Sequence, residues 1–502
     1  MLKRIRLVLA IVMFVGITLL FLDFTGSLHY WLGWMAKVQL LPAVMALNLV
    51  VIGVLVLLTL IFGRIYCSVI CPLGVMQDII AWLHRKIIKK NKYSLTKPHN
   101  WLRYSMLALF IACIIIGIHA VVVLLAPYSS YGRIVSTILQ PLYILANNGL
   151  AAIAEHFDSY AFYSVDTWLR SLPALLIAVG TFAVIFYMAW TRGRLYCNSI
   201  CPVGTVLGFL SRFSLLKVHF KKDNCIDCGL CAKNCKAQCI DYKEHTVDYS
   251  RCVSCGNCLT KCKKAALVYG VARSQGSNTA KRQGQEGTVD QGKRAFLIGG
   301  ALATGTALLA QEKKKVDGGL AVIEDKAIPT RQTPLVPPGA NGLRHFGQHC
   351  TACQLCVAEC PNQVLRPSTD LERLMQPEMS YERGFCRPEC TRCSQVCPAG
   401  AIESISPSDK TAIQIGHAAW NKHNCVVLTD HVSCGNCARH CPAGAISMEP
   451  MEALWDGVSD NLPVVPVVNT ERCIGCGACE NICPSRPFPA IYVEGHEQHR
   501  TI

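Results

Sequence analysis

Two runs of four cysteines, close together in the middle of this 502-residue chain, constrain its fold more than any other feature. The first is Cys225, Cys228, Cys231 and Cys235; the second is Cys252, Cys255, Cys258 and Cys262. Each is spaced C-x2-C-x2-C-x3-C. Iron in an iron–sulfur cluster is held by deprotonated sulfur, and the two-residue spacing lets three thiolates wrap one corner of a cube. Where two such runs lie close together, the fourth cysteine of each ligates the other run's cluster. The spacing therefore predicts one 4Fe–4S site from Cys225, Cys228, Cys231 and Cys262, and a second from Cys252, Cys255, Cys258 and Cys235. Structural zinc also uses C-x2-C pairs, but seldom three cysteines at this spacing followed by a fourth at x3.

Four more runs follow. They are Cys350, Cys353, Cys356 and Cys360; Cys386, Cys390, Cys393 and Cys397; Cys425, Cys434, Cys437 and Cys441; and Cys473, Cys476, Cys479 and Cys483. The second has one widened gap and the third a loop insertion, and a proline follows each fourth cysteine. Sixteen ligands make four further 4Fe–4S clusters, giving six in all. The spacing leaves open which runs exchange fourth cysteines; first with last and second with third is common in four-cluster ferredoxins. No site keeps an open coordination position, which points to electron transfer rather than substrate binding.

The first 200 residues are largely apolar and hold four candidate spans, near 7–22, 40–62, 106–126 and 172–190. Lys3, Arg4 and Arg6, and the basic loop from Arg64 to Arg103, mark the cytoplasmic side, because the opposite loops carry only Lys37, Arg133 and Arg170. The loop at 127–170 is then periplasmic, and 134–153 reads as either a surface helix or ordinary packing. An even number of spans returns the chain to the cytoplasm near Arg192.

This region repeats itself. Gly63-Arg64-Ile65-Tyr66-Cys67-Ser68-Val69-Ile70-Cys71-Pro72-Leu73-Gly74 matches Gly193-Arg194-Leu195-Tyr196-Cys197-Asn198-Ser199-Ile200-Cys201-Pro202-Val203-Gly204. Each copy follows the second span of a pair, as in a duplicated two-helix unit with parallel topology. Cys67, Cys71, Cys197 and Cys201 then read as a metal site, a redox dithiol or reduced structural cysteines. Arg64, Arg194, Tyr66 and Tyr196 stand at headgroup depth, where interfacial anchoring or contact with a quinone head is expected. His119 lies at membrane depth without a facing histidine in another span, so a satisfied or water-facing role is expected over haem ligation.

After Cys262 comes a polar, flexible linker at 271–292. Lys293-Arg294-Ala295-Phe296-Leu297-Ile298 and the apolar residues behind it resemble a twin-arginine export signal with lysine in the first position. The segment 293–312 reads as that signal or a fifth span, which would leave the remainder outside; the bland reading is a buried helix. A Pro-rich linker fills 313–345.

The runs and the repeat absorb 28 of the 30 cysteines, leaving Cys113 as a small core residue and Cys239 as a bystander thiol or a substitute for Cys235. So many regularly clustered cysteines in a long chain do not describe a secreted disulfide scaffold. The net charge of +16 is scattered or flanks apolar spans, which speaks against nucleic-acid binding.

With these motifs in place, residues 1–270 resemble the membrane polyferredoxins of the NapH and MauN type: four spans, two Cys-x3-Cys-Pro motifs and a two-cluster ferredoxin. Residues 290–490 resemble their exported NapG- and MauM-type partners with four clusters, including Pro337-Pro338-Gly339-Ala340 ahead of the first run. The chain reads as a natural fusion of the two. The expected fold class is a multi-domain membrane protein: an α-helical four-span domain with internal duplication (1–215), plus two α+β bacterial-ferredoxin-like domains, one cytoplasmic (216–270) and one with four clusters (346–502), placed in the periplasm by the export of everything after about residue 312.

The resemblance implies a quinol dehydrogenase subunit of the inner membrane, passing electrons through its clusters to a periplasmic cytochrome or terminal reductase. No C-x2-C-H motif, flavin domain or molybdopterin-sized domain is present, so terminal reduction belongs to a partner. The alternatives are a copper reductase or maturation factor for a respiratory enzyme, and a ferredoxin-linked cytoplasmic reductase subunit.

Overall fold

The computed structural model describes residues 2–23, 25–88, 93–159, 162–165, 170–221, 224–271, 324–451 and 462–502. Most of the linker and the whole export-signal segment, 272–312, lie outside the described residues.

Four strongly apolar helices run through the N-terminal part: Leu2–Leu22, Leu49–Phe62, Asn100–Ile116 and Leu172–Arg192. Only the first and last are long and apolar enough to cross a membrane by themselves. The two middle segments expected from hydropathy are broken. Asn48 caps Leu49–Phe62 through Val51 N, separating it from Leu40–Met45. Gly117, at φ +88°, ends Asn100–Ile116 before His119–Leu125 begins, because glycine enters the left-handed region without a Cβ clash. The following pair, His119–Leu125 and Pro127–His156, bends by 76°. Residues 134–153 therefore belong to a bent helical arm that contains one π turn, Val135–Leu139.

The outward faces of these helices are apolar: Val8, Val12, Val54, Ile115, Leu176 and Val184 are each more than half exposed. Their inward faces meet in an apolar core that continues into the region from residue 335 onward. Ile17, Leu20, Phe21, Tyr128 and Val135 pack in one body with Phe346, Leu355, Val357, Leu365, Tyr381 and Ile415.

Among the described residues every sheet is an antiparallel pair. Leu216–Phe220 pairs with Leu267–Val271 around a small core of its own. Ile413–Trp420 pairs with Ile491–Thr501, tying the second C-terminal run to the end of the chain. Pro337-Pro338-Gly339-Ala340 forms a tight turn in which Gly339 has φ +88° and its carbonyl accepts from Glu403 N.

Each long helix touches a different ferredoxin-like region at each end. Lys3 Nζ reaches Thr260 Oγ1, while Gly26, past the other end, meets Arg392. Ala46 meets Gly400, while the Phe62 carbonyl accepts from Ser254 Oγ and Tyr269 Oη. Arg103 donates to Ser250, and His119 interacts with His349. Ala174 shares a cavity with Ala358, and Arg194 N donates to the Lys236 carbonyl. The helices thus alternate in direction between two iron–sulfur regions.

Candidate iron–sulfur centres

In the four regular runs the backbone turns left-handed twice, at the second and fourth residues after the first cysteine. The pairs are Asp227 and Gly229, Ser254 and Gly256, Ala352 and Gln354, and Gly475 and Gly477, with φ between 47° and 80°. A third left-handed residue stands three after each fourth cysteine in five runs: Gln238, Ala265, Gln363, Gly400 and Gly444. Such turns make concave nests of backbone N–H groups suited to an anion. Matching N–H···S contacts are present: Ala266 N to Cys262 Sγ, Ala445 N to Cys441 Sγ and Ala490 N to Cys483 Sγ are all 3.3 Å.

The thiols group across runs. Cys231 lies with Cys225 and Cys228, and Cys225 with Cys262. Cys258 lies with Cys252, Cys255 and Cys235. In the C-terminal region Cys350, Cys353 and Cys356 face Cys397, while Cys386 and Cys393 face Cys390 and Cys360. Cys437 faces Cys425, Cys434 and Cys483, and Cys473, Cys476 and Cys479 face Cys441. The thiols thus group first run with second and third with fourth, not first with last. The helices Leu355–Glu359 and Arg392–Val396, and Asn436–Arg439 and Ala478–Ile482, pack in those same pairs.

These groupings fit a multi-iron cluster. Four sulfurs on one zinc at 2.3 Å stand about 3.8 Å apart. Among the described residues, only Cys225, Asp227 and His245 bring three ligand atoms within 4.8 Å of one another. All thirty cysteines are unbridged. Burial pushes the Cys231 thiol up to about 11 and that of Cys437 likewise to about 11, so iron must supply the charge that makes them thiolates. A 4Fe–4S cluster supplies one-electron chemistry whose potential depends on charge, hydrogen bonds and exposure. The chain supplies the ligands, the N–H donors and the spacing.

Cys239 is not a bystander. Its sulfur is 3.6 Å from Cys235 Sγ, and its thiol also shares a hydrogen bond with Cys252. A hydrogen bond from Cys239 is the main cause that lowers the Cys235 thiol below its usual range. Cys113 is a buried core residue, as expected.

The repeated motifs meet at the centre of the helical part. Gly63 and Gly193, at φ +74° and +67°, end the preceding helices. Pro72 and Pro202 start the next ones, with Cys71 and Cys201 at the N-cap positions. Arg64 Nη2 donates to the Cys197 carbonyl at 3.1 Å, and Arg194 Nη1 to the Cys67 carbonyl at 2.5 Å. Each arginine thus clamps the other copy's motif. Both are at most 1% exposed, so they are internal groups and not headgroup anchors. Gly74 and Gly204 allow the approach, since a Cβ on either would stand 2.2 Å from a cysteine carbonyl.

Sequence reasoning missed the partners of this centre. Asp78 accepts from Arg194 Nε at 2.6 Å, lies 3.5 Å from Arg6 and pairs with Lys236. Burial raises its pKa, but Arg194 and Lys236 outweigh this and hold it well below the usual carboxylate range. Gln77 Nε2 is 3.3 Å from Cys197 Sγ. An acid on the buried side of the helix Pro72–Ile87, two turns beyond Cys71, was the available signal.

Comparison with known proteins agrees with the chemistry. A family described as "4Fe-4S binding domain" matches residues 44–91 and 172–222, and one described as "4Fe-4S dicluster domain" matches residues 432–486. The electron transport protein YccM of Escherichia coli (strain K12) is 25% identical over 201 residues, 39% of this chain and 48% of that protein. The chain thus spans about half of YccM's length. The ferredoxin-type protein NapF of the same strain is 27% identical over 164 residues, 32% of this chain and 86% of NapF. The methylamine utilization ferredoxin-type protein MauM of Paracoccus denitrificans (strain Pd 1222) is 31% identical over 198 residues, 38% of this chain and 82% of MauM. No solved structure matches. On the strength of that identity over most of the relative's length, this chain belongs to the MauM family of ferredoxin-type iron–sulfur electron-transfer proteins.

Proposed function

We propose that this protein is a membrane-bound electron carrier that oxidises quinol and passes the electrons through six 4Fe–4S clusters to a partner cytochrome or terminal reductase. Its helical part, 1–215, crosses the inner membrane four times, in two related halves. Residues 216–270 lie on the cytoplasmic side and 346–502 on the periplasmic side. The observation that carries this reading is the placement of the two ferredoxin regions at opposite ends of four alternating helices with apolar outer faces. Basic residues near the first region support the orientation.

The quinol half of the reading is supported by a cavity of about 250 Å3 at the seam with the C-terminal region. Ser136, Gln140, Arg170 and Gln354 offer polar groups there, Ile144 and Ala174 are apolar, and Cys360 lines one wall. The π turn at Val135–Leu139 forms part of the lining, a feature frequent at functional sites. A concave, mostly apolar site with a few polar groups suits a quinol head.

The test is reduction of the purified, detergent-solubilised protein by a menaquinol analogue. The expected result is bleaching of the cluster absorbance, slowed about tenfold or more in Gln140→Leu. Full reduction by dithionite with none by quinol would sink the quinol reading.

A further inference from the structure

We propose that Cys67, Cys71, Cys197 and Cys201 together ligate one additional iron–sulfur cluster, which joins the two ferredoxin regions into a single electron path through the helical part. The inference rests on the reading of the chain as an electron carrier, but not on quinol as donor.

Charge is the first argument. Arg6, Arg194 and Lys236 are at most 8% exposed and share one carboxylate, Asp78, while Arg64 is fully buried and donates to Asn198, Ser250 and the Cys197 carbonyl. A buried excess of cations is costly unless paired. Arg103, beside Arg64 on the same Ser250 carbonyl, adds to it. Four thiolates around a cluster core carry a net charge of about −2, which supplies the missing anion at the right place.

Geometry is the second. Arg64 Nη2 stands 3.8 Å from Cys67 Sγ and Arg194 Nη1 3.9 Å from Cys197 Sγ. Arg64 Nε, Arg194 Nη2 and Gln77 Oε1 are buried without a partner. Gly204 N is 3.3 Å from Cys201 Sγ, an N–H···S contact made at a helix N-cap. All four thiols are buried and interact with one another, yet no three of them come within 4.8 Å. That spread is too wide for a single tetrahedral ion and suits a cluster.

Position is the third. On one side Arg64 interacts with Cys252, and Lys236 with Cys255. On the other, Tyr66 interacts with Cys67, Cys71 and Cys201, and Tyr128 with Tyr66, Cys353 and Cys397. A second line runs from Cys197 and Cys201 through Tyr196 and Arg133 to Cys353. A Cβ on Gly132 would stand 2.2 Å from the Cys353 carbonyl, so the seam is tight. Each transfer along this line oxidises one centre and reduces the next by one electron. No bond forms or breaks, and no co-reactant is required.

The test uses the full chain, purified anaerobically. Iron should exceed the roughly 24 atoms of the six ferredoxin-type sites by about two to four, with matching sulfide. The variant carrying Cys71→Ser and Cys201→Ser should lose that excess alone and keep the EPR signals of the other clusters, which also shows that it has folded. Arg64→Gln should keep the iron and move the midpoint of the extra signal to more negative potential, because a cation beside a cluster favours its reduced state. In proteoliposomes, a membrane-impermeant reductant on the Cys228 side should reduce the C-terminal clusters of the wild type, with at least a tenfold slower rate in the double variant. Unchanged iron in the double variant would overturn the site. Lost iron with an unchanged transfer rate would overturn the bridge. Failure of quinol to reduce the wild type would leave both standing.

Discussion

The ferredoxin region at 216–271 and the runs at 350–397 use the same ligand spacing but meet the helices differently. The first region has its own small core and touches the helices through polar groups: Ser254 and Tyr269 on the Phe62 carbonyl, Arg103 on Ser250, and Lys236 on Asp78. The second shares one apolar core with them, and Gly132 lies against the Cys353 backbone. Cys228 is exposed, whereas Cys353 and Cys356 are buried. A polar seam around an exposed centre suits exchange with a soluble partner; a continuous core holds a fixed distance between buried centres.

The comparison can be broken or sharpened by substitution. Cys397→Ser should have the largest effect, removing about one cluster of four iron. The EPR signal lost should be that of the Cys350, Cys353 and Cys356 site, and loss of the Cys386 site in its place would refute the adjacent-run pairing. Asp78→Asn should cost about 3–5 kcal/mol, because it leaves Arg194 and Lys236 buried without their counter-charge; thermal unfolding in detergent measures it. Gly132→Val should cost about 1–3 kcal/mol by overpacking the apolar seam, and should raise the protease sensitivity of the C-terminal region while sparing 216–271. Tyr269→Phe removes one hydrogen bond from the polar seam and should cost only about 0.5–1.5 kcal/mol. An equal or larger loss for Tyr269→Phe than for Gly132→Val would erase the distinction between the two seams.

Cysteine spacing made the iron–sulfur chemistry legible because three thiolates two residues apart wrap a cube locally, with little help from the rest of the fold. The repeat starting at Gly63 and Gly193 was equally plain, since each copy carries its own helix stop and its own Cys-Pro restart. Hydropathy found the apolar segments but not their breaks. Window averaging passes over Asn48 and Gly117, whose effect lies in capping and a positive φ rather than in polarity.

Tertiary structure alone decided the rest. Which run lends its fourth cysteine to which depends on packing between short helices far apart in sequence, such as Leu355–Glu359 against Arg392–Val396. Arg64 and Arg194 looked like interfacial anchors because their reach across the repeat, to Cys197 and Cys67, exists only once the two copies face each other. Asp78 became the hub of that centre for the same reason. A local motif carries local chemistry; a charge buried between two motifs is defined by the fold that brings them together.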